Sequence, residues 1–581
     1  MKSIQLGFLF LFSLLLLGSS FIIGLPILNG SIYSKQFWIE YLLSAYGAIG
    51  TGIILLAHKT IKLYFTKADI IIIILLLIYW ISVTLQGSSP LVKNVPFYYG
   101  LYYFISKLLF SNLEFENIKI AYSFFLVLVP LTILVHVLLV LLQLIQNSVT
   151  GSEGYAMGST FINPDMLGSY LAVLFPFCLM QVRFLKIIGP AALILGFVSL
   201  LFNQSRTSIV AVLCIGLVWV IINKHLKVNA LIMAGTILLF LLFLLIAWHP
   251  ESVFGRFFLW HVAIKMIVAK PLGWGLLAFE RDFPMFQAEI LSNKPDIIQV
   301  FSPQVVHSPF NEFLNVGVTL GLIGIVLVCI LLFLVFKRLI KTKSILLYPI
   351  LVFVVVSMFY FPFKISPLIA LVIPIIAWVT NNDHCYFKVN LRKTIGELFL
   401  LLIIIISAIG GAKAFEMHKC YKQWQKAYLI TLDNNSGKAA EPIFLHLYPK
   451  LKTDGRFLIT YSNLIKDSGN VNEAVELLEE ANQYFCDIGL SLGLAQLYEI
   501  QGLYDKAEAK YDLAMSLSPG RFTAAYKKIL FLNRIGRSDE ANAIAAKLIK
   551  MPVEDSQFAE TYVIMGRLRK MLKDDGQTVD N

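Results

Sequence analysis

From about residue 6 to about residue 411 the chain alternates apolar runs of about fifteen to twenty-five residues with polar connections, and runs of that length suit a hydrocarbon core about 30 Å thick. They fall at Leu6–Leu28, Trp38–Ala57, Ile70–Leu85, Val95–Phe110, Ile120–Ile145, Phe161–Met180, Leu185–Phe202, Ser208–Ile222, Val228–Trp248, Phe313–Phe336, Ile345–Phe361, Pro367–Val379 and Ile395–Gly411. The pattern predicts an all-α, polytopic membrane bundle of about thirteen spans. One connection departs from it. Between Trp248 and Phe313 lies a long polar stretch without an obvious regular pattern, and connections of that length are more often functional than idle. It carries Arg256, Trp260, His261, Arg281, His307, Asn311 and Glu312, and is the expected working surface.

Composition agrees with the pattern. The 581 residues are 58% hydrophobic and 14% charged, with mean hydropathy +0.75, which excludes an ordinary soluble protein. The six cysteines (Cys178, Cys214, Cys329, Cys385, Cys420 and Cys486) lie far apart, with no CxxC or Cys/His ligand spacing. Neither a disulfide framework nor a zinc site is indicated.

The net charge of +12 falls on the membrane half, because basic and acidic residues roughly cancel after about Phe415. Lysines and arginines crowd alternate connections: Lys59, Lys62 and Lys67; Lys107 and Lys119; Arg183 and Lys186; Lys224 and Lys227; Lys337 to Lys343; Lys388 to Lys393. By the positive-inside pattern these are cytoplasmic, so the His249–Pro309 connection, the Gly151–Phe161 loop, Arg206 and everything after the last run are expected outside. The first run resembles a signal peptide, with Lys2 before a leucine run and small Gly18–Ser20 after it, but its continuation to Leu28 favours an uncleaved anchor. The aromatic-rich Val95–Phe110 run admits an interfacial placement instead of a crossing.

After about residue 415 a repeat appears. Gly469, Gly502 and Gly536 are spaced 33 and 34 apart, and Ala474, Ala507 and Ala541 keep that spacing. The middle copy, LAQLYEIQGLYDKAEAKYDLAMSLSP, has the offsets of a tetratricopeptide repeat. With a degenerate unit near Gly437–Leu451 and a last helix near Phe558–Leu572, a short α-solenoid is expected on the outer side. The domain reading is residues 1–414 as the membrane part, including the 249–310 loop, and 415–581 as the solenoid.

The ionisable residues at outward-facing boundaries are few: Asp165 in FINPDMLGSY, Arg206 in NQSRTS, Arg256 in GRFFLW, and His307 and Glu312 in HSPFNEFL. Arginines flanking apolar runs are kept where water or a partner meets them, and two on one face suggest an anion site. Each has a plainer reading. Arg206 and Arg256 suit interfacial anchors and Trp260 an interfacial belt. His307 suits a surface histidine, and Glu312 suits the dipole at a helix head. His136, inside an apolar run, reads as packed against a neighbouring helix.

Four stretches in order, GSTFINPDMLGSYLAVLFPF, NQSRTSIVAVL, GRFFLWHVAIKMIVAKPLGWGLLAF and HSPFNEFLNVGVTLGLIG, give the region of roughly Gly151–Phe336 its character. It resembles the O-antigen ligase and polymerase family, which also includes protein O-oligosaccharyltransferases. The resemblance implies a GT-C-like polytopic glycosyltransferase of the bacterial inner membrane. Its donor would be a glycan on a polyprenyl diphosphate, used on the periplasmic side without nucleotide sugar, metal or other cofactor. The acceptor would be a lipid, a growing glycan or a protein.

Negative charge grows on a diphosphate leaving group, so Arg206 and Arg256 are the expected grip, guanidinium matching phosphate oxygens bidentately. His307 would activate or orient the acceptor hydroxyl. Asn163, Asp165, Trp260, Asn311 and Glu312 are the expected substrate-contacting residues. Two departures stand out. The family's usual pattern sets histidine directly before asparagine, whereas Phe310 precedes Asn311 here; a helix through this segment would put positions 307 and 311 on one face, and otherwise the role passes to Asn311 or Glu312. Asp165 stands where an asparagine is more familiar. Readings of another class are a multi-pass lipid-glycan transporter with a solenoid regulator, and a scaffold whose solenoid recruits envelope partners. A transporter should show matching halves with broken helices, and no convincing symmetry is visible.

Overall fold

The computed structural model describes residues 2–22, 34–57, 61–86, 93–150, 159–161, 163–181, 187–203, 205–224, 250–293, 308–381, 386–432, 437–551 and 558–574. In chain order the elements are α1 (Lys2–Ile22), α2 (Ser34–Ala57), β1 (Ile61–Phe65), α3 (Lys67–Gln86), α4 (Val95–Asn112), α5 (Phe115–Thr150), α6 (Pro164–Gln181), α7 (Ile188–Phe202) and α8 (Arg206–Lys224). Then come α9 (Pro250–Ala269), a π-helical turn (Ala278–Asp282), α10 (Phe283–Asn293), α11 (Glu312–Lys341), α12 (Leu347–Phe359), a 3-10 turn (Pro362–Lys364), α13 (Ser366–Asn381), β2 (Phe387–Leu391) and α14 (Lys393–Thr431). The last eight are α15 (Gly437–Leu451), α16 (Gly455–Asp467), α17 (Val471–Asn482), α18 (Ile488–Ile500), α19 (Tyr504–Leu517), α20 (Phe522–Arg534), α21 (Ser538–Ile549) and α22 (Phe558–Asp574).

Among the described residues each expected apolar run overlaps a helix, and Val228–Trp248 lies outside them. Four described helical segments are long and apolar enough to cross a membrane: Lys67–Leu85, Glu116–Val149, Glu312–Lys341 and Lys393–Thr431. Shorter apolar helices such as Pro164–Leu179 and Leu347–Phe359 accompany them. The result is an all-helical, multi-pass membrane protein with one addition. Strands β1 and β2 pair antiparallel, Ile61 opposite Leu391 and Phe65 opposite Phe387.

The chain divides into two compact units, residues 1–81, 93–249 and 310–425 in the first, and residues 82–92, 250–309 and 426–581 in the second. Of the connection expected at 249–310, residues 250–293 form two helices and a π-helical turn, and α10 packs on α19.

In the first unit α6 is buried nearly all round: Leu167, Tyr170, Leu171, Ala172, Val173 and Leu174 are fully inaccessible. It packs on α7, α8 and α12. Helix α4, for which an interfacial placement was open, lies packed between α2 and α13, with the Tyr102 hydroxyl donating to the Ala370 carbonyl at 2.9 Å. Outward-facing Leu77, Trp80, Leu398 and Leu402 are exposed, as lipid-facing positions should be. Beside the β-ribbon, a buried Asp69 carboxylate bonds Lys107, Tyr103 and the backbone and hydroxyl of Thr66.

Helix α11 is broken at Gly321, whose φ of 75° and ψ of −171° only glycine adopts readily. A side chain there would cost about 1–3 kcal/mol. Gly321→Ala is therefore expected to lower the melting midpoint of the detergent-solubilised protein; an unchanged midpoint would show that α11 straightens at no cost.

In the second unit each helix from α16 to α22 packs on the next. The turns inside the hairpins α16–α17, α18–α19 and α20–α21 hold Gly469, Gly502 and Gly536 at φ 90°, 75° and 81°. Ala474, Ala507 and Ala541 are fully buried, which lets the paired helices approach closely. The repeat spacing of 33 and 34 thus marks one glycine-turned hairpin per period.

Candidate functional site

Asn163 builds the start of α6. Its side-chain oxygen accepts from the Asp165 amide at 2.7 Å and its carbonyl from the Met166 amide at 3.1 Å, with Pro164 filling the first helical position. The turn leading into it is tied down. The Ser159 amide donates to Gln143 at 2.9 Å, and His136 bridges Ser20 and Ser159 at 3.0 Å from its two ring nitrogens. His136 is packed, as its apolar run suggested, and also joins α1, α5 and this turn.

One turn beyond Asp165, Gly168 faces the head of α8. A Cβ at Gly168 would stand 2.3 Å from the Ser205 hydroxyl and 2.8 Å from that of Ser208. The starts of α6 and α8 therefore abut, and Asp165, on the same face as Gly168, is carried to the Arg206 end of α8. Arg206 is half-buried and is the first residue of α8. A cation at a helix N-terminus opposes the helix dipole by about 0.3–1 kcal/mol, so helix stability does not explain this arginine. An anion held there would gain both from the guanidinium and from the helix ends.

Asn203, between α7 and α8, was not singled out from the sequence. It is 7% exposed, and neither oxygen nor nitrogen of its amide finds a partner among the described residues. The polar run NQSRTS between two apolar runs was the available signal. Below these helix heads, α6, α7, α8 and α12 line an open cleft of about 570 Å³ with apolar side chains, Ala172, Phe197, Val212 and Val352 among them.

Asn311 and Glu312 are held together elsewhere in the same unit. Asn311 caps α11, accepting from the Leu314 amide at 3.0 Å, and donates to the Met358 carbonyl at 3.0 Å. Glu312 is 4% exposed and accepts from the Asn315 amide group at 2.8 Å and the Phe363 backbone at 3.2 Å. Both side chains pin the end of α12 and the 3-10 turn to the head of α11. The condition under which 307 and 311 would share a helical face is not met at the described residues: the helix starts at Glu312, Asn311 is extended at φ −155°, and Phe310 is left-handed at φ 50°. His307 itself lies outside the described residues.

Arg256 and Trp260 belong to the other unit, one turn apart on α9, with Trp260 edge-on to Phe257 at 5.4 Å. The helix is ended by the KPLGWG turn. Gly273 and Gly275 take φ 94° and 83°, and the Trp274 indole donates back to the Met266 carbonyl at 2.8 Å. Helix α9 packs on α10, and α10 packs on α19 of the C-terminal hairpins. The Cys486 amide donates to the Glu280 carbonyl at 2.8 Å, so the Arg256-bearing segment is joined to the repeat helices by backbone as well. Burial, with Asp487 and Asp282 nearby, pushes the Cys486 thiol up to about 11, which leaves little nucleophilic thiolate at neutral pH.

Of the expected residues, then, Asn163, Asp165 and Arg206 cluster at two abutting helix starts, Asn311 and Glu312 form a second cluster, and Arg256 and Trp260 share a helix in the second unit.

Fold and boundary chemistry define a multi-pass helical membrane protein with polar helix starts above an apolar cleft. Residues 191–329 match the family model described as O-antigen ligase, a span that encloses both Arg206 and Arg256. That stretch of the chain is similar to O-antigen ligases. The chain is also 35% identical over 99 residues to an uncharacterised protein of Methanocaldococcus jannaschii, covering 17% of this chain and 26% of that protein. The matched part is thus about a quarter of that relative's length.

Proposed function

We propose that the protein is a membrane glycosyltransferase that moves a glycan from a polyprenyl diphosphate carrier to an acceptor on the outer face of the bacterial inner membrane. The observation that carries this reading is the family match across residues 191–329, with both candidate arginines inside it. In this reading Arg206, aided by the α6 and α8 starts and the Asn203 amide, grips the diphosphate, and Arg256 is the second arginine proposed to meet donor charge. The apolar cleft takes the polyprenyl chain. The acceptor hydroxyl loses its proton as it attacks the anomeric carbon; the anomeric bond to phosphate breaks, and the diphosphate leaves with the electron pair. His307 is the proposed proton acceptor, while Asn311 and Glu312 hold the α11 head in shape. The C-terminal hairpins are read as a tetratricopeptide-like solenoid on the periplasmic side.

The test is transfer by the purified protein in proteoliposomes loaded with lipid-diphosphate-linked glycan, read as loss of donor and mass gain of acceptor. Comparing lipopolysaccharide ladders, glycan chain length and periplasmic glycoproteins in a deletion strain separates the three acceptor classes. An unaltered profile in all three would overturn the reading. Asn203→Asp would set a negative charge against the diphosphate and should weaken donor affinity about tenfold or more; unchanged donor affinity would remove Asn203 from the site.

A further inference from the structure

The ribbon of β1 and β2 stands where two long apolar helices begin: β1 ends at Phe65, just before α3, and β2 ends at Leu391, just before α14. Both helices are long and apolar enough to cross a membrane, so the ribbon lies at the boundary between hydrocarbon and water. One of its edges is closed, by Asn112 bonding the Lys62 backbone at 2.9 and 3.0 Å. The other is open. Among the described residues β2 pairs with β1 alone, and every residue from Tyr386 to Asn390 is exposed.

The two faces of the ribbon differ. Register sets Tyr64 opposite Lys388 and Lys62 opposite Asn390, so these four side chains share one face, with the Lys388 ammonium 5.4 Å from the centre of the Tyr64 ring. Ile61, Leu63, Phe65, Phe387 and Val389 take the other. That second face is turned toward the helices, since Ile61 is buried and its Cδ1 would stand 2.7 Å from a Cβ at Gly396 of α14. Phe387 and Val389 on this face are nonetheless 58% and 39% exposed. Between β1, α4 and α14 opens a cleft of about 290 Å³, with Leu63, Phe65, Leu101, Phe104, Phe399 and Ile403 in its walls. The two charged groups that also line it, Asp69 and Lys107, are bound to each other.

Charge decides what covers the open edge. Lys62, Lys67, Lys388, Arg392 and Lys393 are exposed around the ribbon, and Lys119 lies beyond Asn112 on α5. The neighbouring exposed acids are Glu114 and Glu116 between α4 and α5, and Glu397, 4.0 Å from Lys393. Six cations thus stand against three carboxylates. We infer that the ribbon binds an anionic phospholipid of the surrounding bilayer at its open β2 edge. The phosphate meets Lys62, Lys388 and Arg392, Phe387 and Val389 enter the acyl boundary, and the end of one acyl chain lies in the cleft. A soluble anion would meet the cations but leave the exposed Phe387 and Val389 and the cleft uncovered. The site is independent of glycan transfer and requires no donor.

Native mass spectrometry of the full-length protein in detergent tests it, by titration with phosphatidylglycerol or phosphatidylcholine of identical acyl chains. Phosphatidylglycerol adducts are expected at the lower lipid concentration. The Lys62→Gln/Lys388→Gln/Arg392→Gln variant should need about tenfold more phosphatidylglycerol for equal occupancy, with its phosphatidylcholine adducts unchanged. Lys337→Gln/Lys341→Gln/Lys343→Gln, which neutralises an exposed basic cluster at the end of α11, should titrate as the wild type does. Melting midpoints verify that both variants are folded, and the lipid preference of the wild type is read without either. The inference is overturned by equal titration of the two lipids in the wild type, by wild-type phosphatidylglycerol binding in the ribbon variant, or by an equal loss in the α11 variant, which would show diffuse attraction to basic residues. Displacement of the lipid by glycerol 3-phosphate at equal concentration would also overturn it, in favour of a soluble anion.

Discussion

Replacing either Arg206 or Arg256 with alanine is expected to lower glycan transfer by about 10²–10³-fold, the cost of removing one preorganised donor aimed at developing charge, about 2.7–4 kcal/mol. The physical case differs for the two. Arg206 is held at the head of α8 against the helix dipole, where the abutting start of α6 adds a second set of backbone donors. Arg256 is delivered by a helix that packs on α10, which in turn packs on α19. Lysine at either position restores charge but not the bidentate fit, and should recover only part of the loss. The measurement is initial transfer rate in proteoliposomes, with reconstituted amounts matched by gel. Full transfer by both single alanine variants would end the diphosphate-grip reading. Full loss accompanied by a collapsed melting transition would instead show a structural role.

Much of this arrangement was legible in the sequence because membrane insertion imposes a coarse rule: a run of apolar residues becomes a helix, since backbone groups in lipid must bond internally. The hairpin turns were legible for a similar reason, Gly469, Gly502 and Gly536 being needed where φ is positive. What escaped depends on contacts between distant residues. Nothing local in IKLYF and FKVNL says that they pair, because each strand lacks a bonding partner until the other arrives. Helix α9 was legible in the arginine–tryptophan stretch GRFFLWHVAIKMIVAK, whereas α10 was hidden because it packs on α19, some two hundred residues later. At the candidate site the sequence named Asn163, Arg206, Asn311 and Glu312, but only the fold separates a residue that caps a helix, as Asn163 and Asn311 do, from one whose helix position needs another explanation, as with Arg206. Asn203 was passed over since an asparagine beside an apolar run reads as an ordinary boundary, and its burial depends on how α7 and α8 are packed.

The largest effect on stability is expected at Asp69. Its carboxylate is fully buried, Lys107 is 5% exposed, and the Tyr103 hydroxyl donates to Asp69 at 2.7 Å while also meeting the Thr380 hydroxyl at 2.8 Å. The cluster therefore joins α3, α4 and α13 next to the β-ribbon, where Asn112 exchanges bonds of 2.9 and 3.0 Å with the Lys62 backbone. Asp69→Ala leaves an ammonium buried without its counter-charge and strips acceptors from Thr66 and Tyr103, so a loss of about 3–5 kcal/mol is expected. Lys107→Met should cost a comparable amount by stranding the carboxylate. The pair's net worth is another matter, since removing both charges also removes both desolvation costs. Asp69→Ala combined with Lys107→Met should therefore be more stable than either single variant, and the interaction energy from the four proteins gives the coupling directly. The readout is the melting midpoint of the detergent-solubilised protein, with the monodisperse fraction after solubilisation as a second measure. Midpoints within experimental scatter of the wild type for both single variants would mean that water or lipid headgroups reach the pair, and that the cluster does not hold α3, α4 and α13 together.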